Sequence, residues 1–267
     1  MIPPTAAEFV AETKSGVLTL TLNRPESLNA LTAAMLKGLA ESVARAGGDQ
    51  ATRVIAISGA GRAFSAGADL GDVKKRMADG GFDHGEELRN SFHPLILAIR
   101  RVEKPVVAVV NGIAAGAGAS LALACDLKVC SVEAKFVNAF AKVGLIPDSG
   151  MTWLLPRALG LSRALEHAWL SQPITAEAAL SFGLVNRVVP ASSLADAARQ
   201  VVDSLLAVPP LALGLTKRAM NRSLAAASLE EQMEREAQLQ SFLGRTKDHA
   251  EGISAFLEKR APQFHGE

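Results

Sequence analysis

The 267 residues include no tyrosine. This removes every mechanism that needs a tyrosine as general acid or base, the Tyr-Lys pair of many nicotinamide dehydrogenases included. Cysteine is nearly missing too. Cys125 and Cys130 stand alone in a C-x4-C spacing, with no second pair to complete a zinc set, so no metal site is expected and a reducing compartment is the plain reading. Charge of either sign is not in excess: 28 Lys+Arg face 27 Asp+Glu, which excludes nucleic acid as the main partner because few phosphates could be neutralised. Long apolar runs are absent as well. The longest small and apolar stretch, Gly112 to Cys125, is too short to span a bilayer, and Met1-Ile2-Pro3-Pro4 carries no basic segment ahead of an apolar one. A cytoplasmic protein without a membrane partner is expected.

What is present is a globular composition, 49% hydrophobic, in a chain long enough to bury a core without staples. Val17 to Leu22 alternates β-formers up to Pro25 and predicts a half-buried strand; Thr32 caps a helix whose apolar positions Leu36, Leu39, Ala40 and Val43 run to Gly47-Gly48. Arg53 to Ser58, Pro105 to Val110 and Asp126 to Ser131 read as further strands, with a small-residue helix over Gly116 to Ala124. The alternation of strand and helix predicts an α/β fold. Asp72 to Ser91 is polar, with Gly80-Gly81 in its middle, and predicts a mobile loop or lid around short helices. Beyond Gly160 the chain reads as mostly helical, with helices over 192–206, 211–226 and 229–243. The last has a Ser228/Glu231 capping box and an apolar stripe of Met233, Ala237 and Phe242.

Two glycine-rich segments, Gly59 to Asp69 and Asn111 to Ser120, each follow an apolar strand. Small residues there let the backbone approach a ligand, and a helix starting at such a turn presents unpaired N–H groups to negative charge; the same glycines would also serve close helix–sheet packing. A dinucleotide fingerprint fails, since Leu121 stands where the third glycine belongs and Asp126 comes about ten residues too early. A nucleotide-hydrolysing P-loop sequence is missing. A serine-hydrolase elbow at Gly118-Ala119-Ser120-Leu121-Ala122 ends in alanine, and none of the five histidines sits in a triad context, so Ser120 reads as a small packing residue. Asp148, in Gly144-Leu145-Ile146-Pro147-Asp148-Ser149-Gly150, is an acid among apolar residues. Those surroundings would raise its pKa toward a general base, although spacing alone favours it as cap of a helix beginning near Thr152.

Taken together, Leu22-Asn23-Arg24-Pro25, Leu28-Asn29-Ala30-Leu31, Ala63-Phe64-Ser65-Ala66-Gly67-Ala68-Asp69-Leu70, Lys104 to Gly118, Gly144 to Pro147 and the tail Glu251 to Arg260 resemble the enoyl-CoA hydratase/isomerase (crotonase) family over residues 8–264. The resemblance implies a spiral of ββα turns with a helical C-terminal region: a core over 1–195 that binds acyl-CoA, and an oligomerisation region over 196–267, assembled as a homotrimer or a pair of trimers. It also implies that the backbone N–H groups of Ala68 and Ala117 hold the thioester oxygen, each donor being worth about 3 kcal/mol in the transition state. The backbone from Ala66 through Gly67 to Ala68 would hold the adenine, with Gly116 beside the second donor. Phe256 and Lys259, from the same or a neighbouring subunit, would grip the coenzyme, which is part of the substrate; no separate cofactor is implied.

The departures from the family pattern bear on the reaction. Hydratases of the family carry two glutamates, and those positions are Ser120 and Phe140 here. One acid, Asp148, stands where family isomerases carry theirs. A single carboxylate can move a proton along an acyl chain, whereas adding water normally takes a pair. The wording around Asp148 is similar to isomerases that act on ring-1,2-epoxyphenylacetyl-CoA in phenylacetate breakdown, with Met151 in place of their more usual glycine and with Phe140 and Trp153 expected to line an apolar pocket. The expectation is an acyl-CoA isomerase acting on that ring epoxide or on an unsaturated acyl-CoA. The alternatives are an enoyl-CoA hydratase and a CoA-ester binding protein without turnover.

Overall fold

In strand β2 (Val17–Leu22) the leucines at 18, 20 and 22 are buried and the intervening threonines are half-buried, as a strand with one face on a core requires. The computed structural model describes residues 7–80 and 82–267; the reading of Met1-Ile2-Pro3-Pro4 and the Gly81 half of the glycine pair lie outside them. β1 (Phe9–Lys14), which the sequence reading passed over, folds back antiparallel onto β2. Helix α1 (Ala33–Gly48) is capped by Thr32, whose hydroxyl accepts from the Met35 amide at 3.1 Å, and it brings β3 (Val54–Gly59) back parallel to β2.

Three turns then repeat one plan. β3 leads into the short β4 (Ala63–Ser65) and helices α2 (Leu70–Ala78), α3 (His84–Glu87) and α4 (His93–Arg101). β5 (Val106–Val110) leads into β6 (Ile113–Ala115) and α5 (Ala117–Ala124). β7 (Leu127–Ser131) leads into β8 (Lys135–Val137), α6 (Met151–Leu159) and α7 (Leu161–Leu170). The first strand of each turn joins one sheet and the second joins another. With β9 (Ile174–Thr175) and β10 (Arg187–Val189) the orders are β1-β2-β3-β5-β7-β10 and β4-β6-β8-β9. The chain therefore winds as the expected spiral of ββα turns.

One core fills the spiral, with Phe64, Leu20, Leu39, Ile57 and Ile99 fully enclosed. Beyond α8 (Ala176–Ser181), helix α9 (Leu194–Leu206) lays Ala197, Val201 and Val202 on Val54, Val107 and Val129 of the first sheet. The boundary drawn between residues 195 and 196 thus falls inside a helix that belongs to the packed core. The outer helices are α10 (Pro210–Ser223), α11 (Leu229–Leu243) and α12 (Lys247–Glu258). Ser228 caps α11 as expected, while Glu231 reaches back to the Ala227 amide at 2.8 Å. α11 buries none of its residues, and its apolar stripe at Leu229, Met233 and Phe242 is exposed. Among the described residues no helix is long and apolar enough to cross a membrane, and no cluster of three His, Cys, Asp or Glu is placed to hold a metal ion. Cys125 and Cys130 are buried free thiols that burial pushes up to about 12.

Candidate active site

The two glycine-rich turns meet. Asn29, fully buried with φ of 56°, holds the first one: its side-chain Nδ2 donates to the carbonyls of Ala60 and Ala63, and its side-chain Oδ1 accepts from the Arg24 amide. Ser65 donates to the Asn29 carbonyl and accepts from the Gly67 amide. Arg24 clamps the far end through a 2.9 Å ion pair with Asp69, which in turn caps α2 at the Gly71 and Asp72 amides. The polar residues of these motifs are thus spent on loop geometry. Gly67 (φ +92°) packs so closely that a Cβ would lie 2.7 Å from the Ala115 carbonyl oxygen, and one on Gly118 would lie 2.5 Å from that of Ser65. Only glycine lets the two turns touch.

This contact leaves two amides without partners. The N–H groups of Ala66, Gly67, Asp69 and Gly116 all find acceptors, on Leu28, Ser65, Leu31 and Val137. Those of Ala68, paired only as a bridge beside Leu31, and of Ala117, the first residue of α5, have none among the described residues. Both residues line one cavity of about 480 Å³, which Ala66, Gly116, Phe140 and Asp148 share. Gly67 packs behind that wall.

Asp148 is half-buried and lines the same cavity as these amides. It does not cap the following helix: Gly150, at φ of 81°, is the N-cap of α6 and no side chain bonds the helix end. The left-handed pair Ser149-Gly150 turns the aspartate away instead. Its carboxylate accepts from the Ser149 hydroxyl at 2.8 Å, and its carbonyl accepts from Ser120 at 3.0 Å. Ser120, expected only to save space, therefore ties α5 to the Asp148 peptide. Burial pushes the Asp148 carboxyl above its ordinary value, against the opposing pull of the Ser149 hydroxyl and of the nearby His93 and His84 side chains.

The polar segment expected as a mobile loop or lid around short helices does hold short helices, and they form a wall of the cavity. α2, α3 and a π turn over Leu88–Phe92 put Leu70, Val73, Phe82, His84, Glu87, Leu88, Phe92 and His93 against the cavity. Two of the histidines set aside in the sequence reading are therefore at the site. So is a second carboxylate, where the sequence reading had one. Glu87 is held at 2.5 Å by Arg76, which also stacks on Phe82 with its guanidinium carbon 4.8 Å from the ring centre. The Arg76 guanidinium keeps the Glu87 carboxyl below the usual carboxylate range, so it is ionised but occupied, and a poor base beside the unpaired Asp148.

Three expected site residues lie elsewhere. Trp153 is half-exposed and stacks against Arg157 at 3.3 Å, because one helical step from the lining Thr152 turns a side chain by about 100°. Phe256 is 83% exposed on α12, and Lys259 is that helix's left-handed cap; neither lines the cavity within this chain. Met151, the replaced glycine, is buried in the core and does not narrow the cavity.

The whole chain matches known proteins. Residues 12–267 match the family described as enoyl-CoA hydratase/isomerase. A 1,2-epoxyphenylacetyl-CoA isomerase of Escherichia coli is 44% identical over 97% of this chain and 99% of its own. A 2,3-dehydroadipyl-CoA hydratase of the same organism is 36% identical with the same coverage of both chains. The solved structure of an enoyl-CoA hydratase from Bacillus anthracis superposes with a TM-score of 0.90 at 31% identity, covering 97% of this chain and all of the other. With match, likeness of fold and extent in agreement, the chain belongs to the enoyl-CoA hydratase/isomerase family.

Proposed function

We infer that this chain is an acyl-CoA isomerase, and the observation that carries the reading is a half-buried carboxylate, without a cationic partner among the described residues, in the same cavity as two partnerless amides. A thioester carbonyl oxygen set between the Ala68 and Ala117 N–H groups would gain both donors as enolate charge develops on it. Asp148, in the same cavity, would take the proton from the α-carbon and return it further along the acyl group. Its raised pKa makes it a stronger base than a solvent carboxylate. Ser120 and Phe140 occupy the positions of the family's two hydratase glutamates and cannot supply a second base.

The acyl group fits the same reading. Phe82, Phe92 and Phe140 give the cavity an aromatic wall suited to a ring, and the isomerase relative acts on 1,2-epoxyphenylacetyl-CoA by its name. Ring-1,2-epoxyphenylacetyl-CoA is therefore the proposed substrate, with unsaturated acyl-CoA esters as simpler ones. The uncovered face of α11 and the exposed Phe256 favour a trimer, in which Phe256 and Lys259 of one chain would reach the coenzyme held by the next.

The test is the mass of the product. Incubated with a 3-enoyl-CoA, the enzyme is expected to yield the 2-enoyl isomer at unchanged mass; a product heavier by one water, formed at enzymatic rates, would establish hydration instead. The pH dependence follows from Asp148 having to be ionised. The acid limb of kcat/KM should have its midpoint above the about 3.9 of an ordinary aspartate. In a Ser149→Ala variant it should move higher still, because the lost hydroxyl favoured the carboxylate form.

A further inference from the structure

Beyond Asp148 and the two amides, the cavity wall carries a half-buried imidazole that the proposed mechanism does not use. His93 opens α4 immediately after the π turn, half-buried, and its ring makes no hydrogen bond among the described residues. The π turn explains its placement. A wider turn brings Leu88, Phe92 and His93 to the same side, whereas a regular helix would carry position 93 away. α4 is anchored in the core by Leu95, Ile96 and Ile99, so the imidazole stands on a fixed support. Its surroundings in the cavity are largely apolar, Leu88, Phe92 and Phe140 among them, and the Asp148 carboxylate, which shares the cavity, makes no hydrogen bond to it. His84 lines the same space, but it is exposed on a four-residue helix and packs edge-on against Phe82, where water can serve it.

A polar ring held rigidly in an apolar wall loses free energy unless something bonds to it. An alkenyl chain would fill the cavity and strip water from the imidazole without replacing that bond. An acyl group carrying an oxygen would restore it. We propose that His93 is a specificity residue that hydrogen-bonds an oxygen atom on the acyl group, and that the substrates of this site are oxygenated aryl-acetyl thioesters in preference to plain alkenoyl ones. The proposal rests on the isomerase reading for the direction in which the acyl group enters. His93 transfers no proton in this account; it selects and orients.

The experiment compares the inhibition constants of two unreactive thioesters that differ by one oxygen, phenylacetyl-CoA and 2-hydroxyphenylacetyl-CoA. The native enzyme is expected to bind the hydroxylated ester about tenfold more tightly, the size of one good hydrogen bond. His93→Phe should bring that ratio to about one, because phenylacetyl-CoA no longer strips water from an imidazole and the hydroxylated ester no longer gains a bond, with a native-like melting curve showing that the variant is folded; His93→Gln, which keeps a donor, should retain most of the preference. An unchanged ratio in His93→Phe overturns the proposal, as does a ratio lost only in His84→Phe. The isomerase reading fails separately. If Asp148→Asn remained active while His93→Phe still lost the preference, the base assignment would fall and the specificity assignment would stand.

Discussion

An Asp148→Asn variant is expected to isomerise acyl-CoA about a thousandfold more slowly than the native enzyme, the usual scale for losing a positioned general base. Its affinity for an unreactive acyl-CoA should be nearly unchanged, because the amide fills the same volume and the proposed thioester contacts are the Ala68 and Ala117 amides. The variant should also be at least as stable at neutral pH. Burial raises the folded-state pKa of Asp148 above its unfolded value, so the native state favours the protonated form. Stability is lost as pH rises from the unfolded pKa through the folded one, and the ionised group is a cost that asparagine lifts. Melting temperatures should therefore favour the variant at pH 7 and converge with the native values below about pH 4. A site that costs stability while supplying a base is the pattern expected of functional carboxylates.

The second large effect concerns a group without a side chain. Ala117→Pro deletes one N–H, and it does so at the first position of α5, where proline's fixed φ fits a helix and the amide bonds nothing within it. The expected result is a kcat lower by about 10² to 10³, the cost of removing one oxyanion donor. KM should change less, because the donor strengthens as charge develops. Ala117→Gly, which keeps the N–H, serves as the control and should retain activity. Steady-state rates with a 3-enoyl-CoA, set beside melting curves, separate the two causes of failure. A folded Ala117→Pro enzyme with native kcat would remove this amide from the mechanism.

Much of this architecture is legible in the amino-acid order, and the failures have physical reasons. β2, β3, β5 and β7 are five or six residues long with apolar runs or alternation, so their period is visible. β4, β6 and β8 have three residues each, too few to display any period, yet they form the second sheet that carries the glycine turns. The Ala68 and Ala117 positions follow from the family motif, and the buried Asn29 and the packed Gly67 show why that motif uses those residues. Asp148 announces itself as an acid among apolar neighbours. Its role as a cap does not survive, because two consecutive left-handed residues separate it from α6. His93 and Glu87 leave no trace in helical spacing, since a π turn resets the register between them. Trp153 misleads for the opposite reason: being large and near Asp148 in sequence does not place it on the same helix face.

The most direct measurement watches the α-proton alone. Phenylacetyl-CoA has an acidic α-carbon and no double bond to shift, so in D2O any exchange reports deprotonation beside the two amides and nothing later. Proton NMR of the methylene should show the native enzyme catalysing the loss of that signal, with the Asp148→Asn variant binding the ester yet leaving the signal at its uncatalysed rate. Exchange that persists at native rates without the Asp148 carboxylate would contradict the account.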